Sequence, residues 1–90
     1  MQRIMKHFTY PSFWDSYHKL PASIQQLADK NFKLLKVDVK HPSLYLKKIS
    51  KDLWSVRVGM GYRALAIPND DGNLTWFWIG THKEYERLIK

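Results

Sequence analysis

Two arginines in the second half of the chain are the side chains best suited to binding an anion. Arg57 lies in the apolar segment 53–59, on the face opposite its valines, and Arg63 lies in the next apolar segment. An unpaired guanidinium suits phosphate, because its fork donates two parallel hydrogen bonds and stays charged at every relevant pH. The alternative for either arginine is an ion pair inside the protein, with one of three acids: Asp52, Asp70 or Glu84.

A histidine after the last apolar segment is the candidate for proton transfer. His82 follows Thr81, and the spacing of Thr81 and Glu84 is typical of a helix capping box. The positive end of a helix and nearby arginines both disfavour imidazolium, so we expect a lowered pKa and a ring that accepts a proton near pH 7. Tyr85 lies on the same side of this turn as a candidate donor or stacking platform. A surface or capping role is the alternative for His82.

The net charge is concentrated in the middle of the chain. Fifteen Lys and Arg against eight Asp and Glu give +7, and residues 30–63 alone hold nine basic and two acidic side chains, 9 − 2 = +7. Such a segment attracts a polyanion and predicts binding that weakens steeply with salt. Lysines that are merely solvated are the alternative.

The chain has no cysteine and no H-x-x-x-H pair, so we expect neither a metal site nor another cofactor.

The elements that must position these residues can be predicted from hydrophobic spacing. Alternation over residues 3–9 predicts a short strand, and Ser12 is a candidate N-cap for a helix to about Lys19. Pro21 opens a second helix with one apolar face. From there the period changes from 3.6 to 2, which predicts four strands, at residues 44–49, 53–59, 62–67 and 74–80.

Turn signals and the final capping box complete the predicted fold. Residues 59–61 and 69–73 are typical hairpin turns, so strands that are neighbours in sequence should pair antiparallel. Thr81 begins a short C-terminal helix. No repeat or linker divides the chain, so we expect one domain, residues 1–90. The prediction is an α+β fold, with an N-terminal helical hairpin packed on a four- or five-stranded antiparallel sheet. Arg57, Arg63 and His82 should then converge at one end of it.

Several short motifs occur in a specific order along nearly the whole chain. They are Leu20-Pro21, His41-Pro42-Ser43-Leu44, Lys47-Lys48, Trp54-Ser55-Val56-Arg57-Val58, Gly61-Tyr62-Arg63-Ala64 and the run from Trp78 to Tyr85. In this combination the sequence resembles the RelE/ParE superfamily of type II toxin-antitoxin toxins. The resemblance implies a microbial RNase-like fold and, for RelE-type members, metal-independent cleavage of messenger RNA on the ribosome.

The resemblance also implies roles for particular residues. In the family chemistry the ribose 2′-hydroxyl attacks the adjacent phosphate, while basic or aromatic side chains move protons and stabilise charge. On this sequence Arg57 and Arg63 would clamp the phosphate. His82 would be the general base or acid, with Tyr85 as an auxiliary donor or stacker. Three lysines would hold the flanking RNA: Lys47, Lys48 and Lys51.

The resemblance implies one other function and one partner, and the charge of the middle segment suggests a further function. The ParE branch of this fold is associated with poisoning of DNA gyrase through protein contacts, and a basic module that binds nucleic acid without cleaving it is a third interpretation. The family implies an antitoxin whose acidic or amphipathic segment covers the basic surface, besides messenger RNA and the ribosome. No segment approaches 18 apolar residues and the N-terminus lacks a signal-peptide pattern, so we expect a cytoplasmic protein without membrane contact.

Overall fold

A five-stranded sheet forms the centre of the molecule. The computed structural model describes residues 5–89. Along them the elements are β1 (His7–Thr9), α1 (Pro11–Tyr17), α2 (Ala22–Val37), a 3₁₀ turn (Pro42–Leu44), β2 (Lys47–Ser50), β3 (Leu53–Val58), β4 (Tyr62–Pro68), β5 (Leu74–Thr81) and α3 (His82–Leu88). The strand order is β1-β5-β4-β3-β2. None of the helices in this part of the chain is long and apolar enough to cross a bilayer.

The sheet is mixed, which corrects the prediction of a wholly antiparallel one. β2, β3, β4 and β5 pair antiparallel in chain order, whereas β1 runs parallel to β5. Turn residues fix the direction of strands that are joined by a hairpin, but no turn joins β1 to its partner at the other end of the chain. The α+β class is confirmed. The predicted first strand began at residue 3, and residues 3 and 4 lie outside the described residues.

The first two helices follow each other over a short loop and contact each other through Tyr17, whose hydroxyl donates to Asp29 at 2.8 Å, but they pack on different strands of the sheet. α1 packs chiefly along β5, whereas α2 packs against β3. Tyr10, not Ser12, is the N-cap of α1. The Ser12 hydroxyl instead donates to the Phe77 carbonyl at 2.8 Å, and the Ser16 hydroxyl accepts from the Ile79 N–H at 3.0 Å. Beyond the end of β1, the serines of α1 therefore provide hydrogen-bond partners for backbone groups of β5 that no strand pairs.

The hydrophobic core lies between α2 and one face of the sheet, which we call the helix face. Its buried members are Ala28, Leu35, Leu44, Val56, Val58, Ala64, Ala66, Leu74, Trp76 and Ile79. Trp76 and Ile79 both point into this core although they are three residues apart. The register explains this, because Trp76 pairs with Ala66 and Trp78 with Leu65, which leaves Phe77 as a bulge residue.

The last helix begins at the capping box that the sequence predicts. The Thr81 hydroxyl accepts from the Glu84 N–H at 3.1 Å, and the Glu84 carboxylate accepts from the Thr81 N–H at 3.0 Å. The hydrogen bond from the Thr81 backbone is the largest of the effects that lower the pKa of the Glu84 carboxyl. The prediction is confirmed, and this reciprocal pair fixes the direction in which α3 leaves the sheet.

Candidate functional site

The two arginines lie directly opposite each other on β3 and β4. Arg57 pairs with Arg63 in the antiparallel register, and both side chains leave the sheet on the face away from α2, which we call the arginine face. Both residues are partly buried. Within residues 5–89, neither guanidinium has an acidic oxygen within 4.0 Å. Like charges facing each other across a sheet are destabilising, so an anion between them would relieve a repulsion that the protein leaves uncompensated.

A tyrosine ring contacts each of the arginines. The Arg63 guanidinium carbon lies 5.1 Å from the ring centre of Tyr85, and that of Arg57 lies 4.2 Å from the ring centre of Tyr45. Tyr85 is buried, with 5% of its surface exposed, and α3 brings it onto the arginine face. Both distances are within the range of cation–π attraction, which orients a guanidinium without neutralising it.

His82 joins the same cluster through Tyr85. The two rings stack, with centres 5.6 Å apart and planes 29° apart, so His82, Tyr85 and Arg63 form a continuous chain of contacts. The His82 backbone N–H donates to the Gly61 carbonyl at 2.8 Å, which ties the start of α3 to the turn before β4. The structure therefore brings His82 to the end of the sheet where the two arginines lie.

Glu86 is a neighbour of His82 that the sequence reasoning missed. Its carboxylate oxygen lies 2.9 Å from Nε2 of His82, and both side chains are about half exposed. The i,i+4 spacing of the two residues on α3 is the signal that predicts this contact. Because Nε2 is held by the carboxylate, Nδ1 is the nitrogen left to contact a substrate.

A glycine makes room for this cluster. Gly80 pairs with Arg63 and faces the same side of the sheet. A Cβ at Gly80 would run into the Trp78 ring and would lie 2.9 Å from a Glu84 carboxylate oxygen. Only glycine therefore lets Trp78 lie across this position while Glu84 closes the capping box. The glycine of the Ile79-Gly80-Thr81 motif has a packing reason that the sequence alone did not reveal.

The three predicted RNA-binding lysines lie in three different settings. Lys47 pairs with Ser55, so it shares the arginine face with Arg57. Lys48 pairs with Trp54 and therefore faces the other side of the sheet. Lys51 lies in the turn between β2 and β3, and all three are exposed. The structure brings Lys47 onto the same face as the arginines and separates Lys48 from them.

Tyr45 is a second site residue that was missed, because the strand predicted from residue 44 begins later. Pro42 to Leu44 form a 3₁₀ turn, which His41 caps by accepting from the Ser43 N–H at 3.2 Å. Tyr45 follows with a left-handed backbone, φ 47°, and 58% of its surface is exposed. This left-handed residue precedes β2 and lies outside the alternation of the strand, so the spacing of the residues held no signal for the contact between Tyr45 and Arg57.

The arginine face also contains a buried hydroxyl. Ser55 is completely buried, and its Oγ has no hydrogen-bond partner among residues 5–89. It lies between Lys47 and Leu65 in the register, two residues from Arg57.

Within residues 5–89 no three His, Asp or Glu side chains are close enough to share a metal ion. The chemistry available here is thus anion binding by guanidinium groups, with an imidazole and a tyrosine beside them.

A mixed five-stranded sheet with α1 and α2 on one face, and with paired arginines and α3 on the other, defines the class: the chain has the fold of RelE/ParE superfamily toxins. The resemblance found in the sequence is confirmed at the level of the fold. A scan of protein-family models and a search of curated proteins both find no match.

Several solved structures are similar to this chain in fold. The RelB-RelE antitoxin-toxin complex of Methanococcus jannaschii matches with TM-score 0.71 and 16% identity, over 92% of this chain and 99% of that chain. The toxin-antitoxin complex RelBE2 of Mycobacterium tuberculosis matches with TM-score 0.68 and 19% identity, over 89% and 100%. A YoeB/ParE toxin of Agrobacterium tumefaciens matches with TM-score 0.63 and 17% identity, over 87% and 99%. At these identities the likeness concerns the fold.

Proposed function

We propose that this chain is the toxin of a type II toxin-antitoxin pair and acts as an endoribonuclease on messenger RNA at the ribosome. One observation carries the proposal: Arg57 faces Arg63 without an acidic partner among the described residues, and Tyr85 links this pair to His82. The fold by itself hosts more than one activity, so the reaction is inferred from these side chains.

The geometry supports a transesterification at phosphorus. The ribose 2′-oxygen forms a bond to the adjacent phosphorus and loses its proton, while the bond from phosphorus to the 5′-oxygen breaks and that oxygen gains a proton. The products are a 2′,3′-cyclic phosphate and a 5′-hydroxyl. Arg57 and Arg63 donate to the non-bridging oxygens, whose charge grows in the transition state. His82 exchanges one of the two protons through Nδ1, and Tyr85 positions its ring.

The lysines serve this reaction by binding the rest of the strand. Lys47, on the arginine face, contacts a phosphate next to the one that reacts. Lys48 and Lys51 are exposed around the β2 edge and attract the strand over a longer range. Each phosphate that is neutralised releases counterions, so RNA binding weakens as salt rises.

An antitoxin is the proposed protein partner. The similar structures from Methanococcus jannaschii and Mycobacterium tuberculosis are toxins in complex with an antitoxin. This chain carries a net charge of +7, and its arginine face holds two guanidinium groups without an acidic partner among residues 5–89. An acidic or amphipathic segment that covers this face would neutralise it and exclude RNA.

The test is cleavage of messenger RNA by the purified chain with translating ribosomes, read by mapping new 5′ ends. We expect discrete cuts, and a loss of about 10²- to 10³-fold in rate for Arg57→Ala and for Arg63→Ala, because each removes a donor to the developing charge. His82→Ala should also be slower. Lys83→Ala is the matched control, because Lys83 is an exposed neighbour on the same helix, and it should keep full activity.

Other outcomes identify the other two functions. A folded chain that makes no cuts and inhibits gyrase in a supercoiling assay would be a ParE-like poison. Salt-sensitive RNA binding without any product would make the chain a binding module. Unchanged cleavage after His82→Ala would remove this residue from the mechanism and leave the arginines in it.

A further inference from the structure

A groove opens next to the arginine site, beyond Tyr45. Its volume is about 570 Å³, which lies in the size range of pockets that bind small organic groups. Its walls include two aromatic rings, apolar side chains and two basic groups: Tyr45, Trp54, Leu46, Pro42, Lys40 and His41. The proposed mechanism gives this groove no role.

Tyr45 belongs to both the groove and the arginine site. Tyr45 is one of the residues that line the groove, and the Arg57 guanidinium carbon lies 4.2 Å from the centre of its ring. A left-handed backbone is unfavourable for a tyrosine, and a residue that is 58% exposed recovers little of that energy by burial. A phosphate held by Arg57 would thus have the groove as its immediate neighbour.

The charge around the groove favours an anionic ligand. None of the described residues that line it is acidic, whereas Lys40 and His41 are basic. Lys48 pairs with Trp54 in the sheet and shares its face, so a third basic group stands beside the same wall. His41 accepts from the Ser43 N–H through Nδ1, which leaves the proton on Nε2 as a donor.

We propose that this groove binds a nucleobase of the RNA strand, next to the phosphate that Arg57 and Arg63 hold. The base stacks on the ring of Tyr45, the lining residue that also contacts Arg57, because a flat aromatic ring accepts every base by its π-face. Trp54, which faces the other side of the sheet from Arg57, forms the far wall of the groove. Lys40 and His41 contact its edge or the following phosphate. This inference depends on the proposed action on RNA and adds a subsite that orients the strand.

The test uses a short single-stranded RNA with 2′-O-methyl groups, which prevent cleavage, and fluorescence anisotropy as the readout. Tyr45→Ala should bind about 5- to 100-fold more weakly, since stacking on one aromatic ring accounts for an effect of that size. Tyr45→Phe keeps the ring and should bind like the unmodified chain. Tyr10→Ala, at the opposite edge of the sheet and 44% exposed, is the matched tyrosine control and should have no effect.

A second set of RNAs separates stacking from a role of Tyr45 in merely orienting Arg57. Each RNA carries one abasic sugar, moved along the strand. With the unmodified chain one position should weaken binding clearly, and with Tyr45→Ala the same abasic sugar should cause little further loss. Such non-additivity is expected when the missing base and the missing ring belong to one contact. Losses that add would overturn the proposal.

The failures of the inference and of the proposed function can be told apart. If the unmodified chain neither binds nor cleaves RNA, both are wrong. If it cleaves RNA but no abasic position matters, only the groove proposal is wrong. If Tyr45→Ala loses the antitoxin and keeps its base-dependent RNA binding, the groove is a protein-docking site and the proposal is overturned.

Discussion

The two faces of the sheet use the same strands for opposite purposes. On the helix face, Val56 and Ala64 are paired and buried under α2 in a continuous apolar layer. One residue further along each strand pair, Arg57 and Arg63 are paired on the other face and stay partly exposed. Because side chains alternate along a strand, one face buries the apolar core while the other holds two charges that have no ion pair among residues 5–89.

Replacing Trp76 tests how much the helix face contributes to the stability of the protein. Trp76 is 2% exposed in the core and donates from Nε1 to His7 at 3.1 Å. Trp76→Ala should lower the free energy of unfolding by about 3–5 kcal/mol, because a large core side chain leaves a cavity. Arg57→Ala should change it by less than about 1 kcal/mol, since the guanidinium has no ion pair within residues 5–89. Urea unfolding measures the free energy of unfolding of both variants. Equal losses would contradict the assignment of stability to the helix face.

Replacing Gly80 tests how tightly the arginine face is packed. Gly80→Ala places a Cβ against Trp78 and Glu84, so we expect a loss of about 1–3 kcal/mol in the free energy of unfolding. Gly61 is the matched control, because a Cβ there meets no atom within 4 Å. Gly61→Ala should stay within about 0.5 kcal/mol of the unmodified chain. If both variants have the same free energy of unfolding, crowding by Trp78 and Glu84 does not explain why position 80 needs a glycine.

Local spacing predicted the features that depend on neighbours in sequence. The period of two put Arg57 on the face opposite the valines, and the spacing from Thr81 to Glu84 predicted the capping box that fixes α3. Both depend on contacts within a few residues. The same reasoning brought His82 to the end of the sheet near Arg63.

Features set by distant partners could not be predicted in this way. The parallel pairing of β1 depends on β5 at the other end of the chain, and the bulge at Phe77 depends on the register with β4. The charge count was misleading for the same reason. Lys33 and its exposed neighbours on α2 lie on the opposite side of the sheet from Arg57, so the basic middle of the chain does not form one patch.

Removing a buried hydroxyl provides a smaller test of the arginine face. Ser55 is completely buried, and its Oγ has no partner among residues 5–89, so folding removes it from water without replacing its hydrogen bonds. Ser55→Ala should leave the free energy of unfolding unchanged or raise it by up to about 1 kcal/mol. Ser50→Ala, at an exposed serine of β2, is the control. A clear loss of stability at Ser55 would mean that its hydroxyl is hydrogen-bonded in solution.

The mildest test uses pH and acts on the helix face. Burial, and to a smaller extent the charge of Lys36, lower the pKa of His7 below 6.5. Its ring lies against Phe32, and its Nδ1 accepts from Trp76, which only an unprotonated nitrogen can do. The unfolded chain therefore takes up a proton at a higher pH than the folded one. The stability due to neutral His7 is complete above pH 6.5 and is lost as the pH falls from 6.5 through the lower folded pKa.

Urea unfolding across this pH range measures the effect, and His7→Phe should flatten the curve because the group that titrates is gone. His18→Phe is the matched control, since His18 is exposed on the surface, and its curve should keep the slope of the unmodified chain. Equal slopes for His7→Phe and the unmodified chain would mean that another group unfolds the protein in acid. A flattened curve would show that the helix face excludes charge at its edge strand, whereas the arginine face holds charge at the end of its central strands.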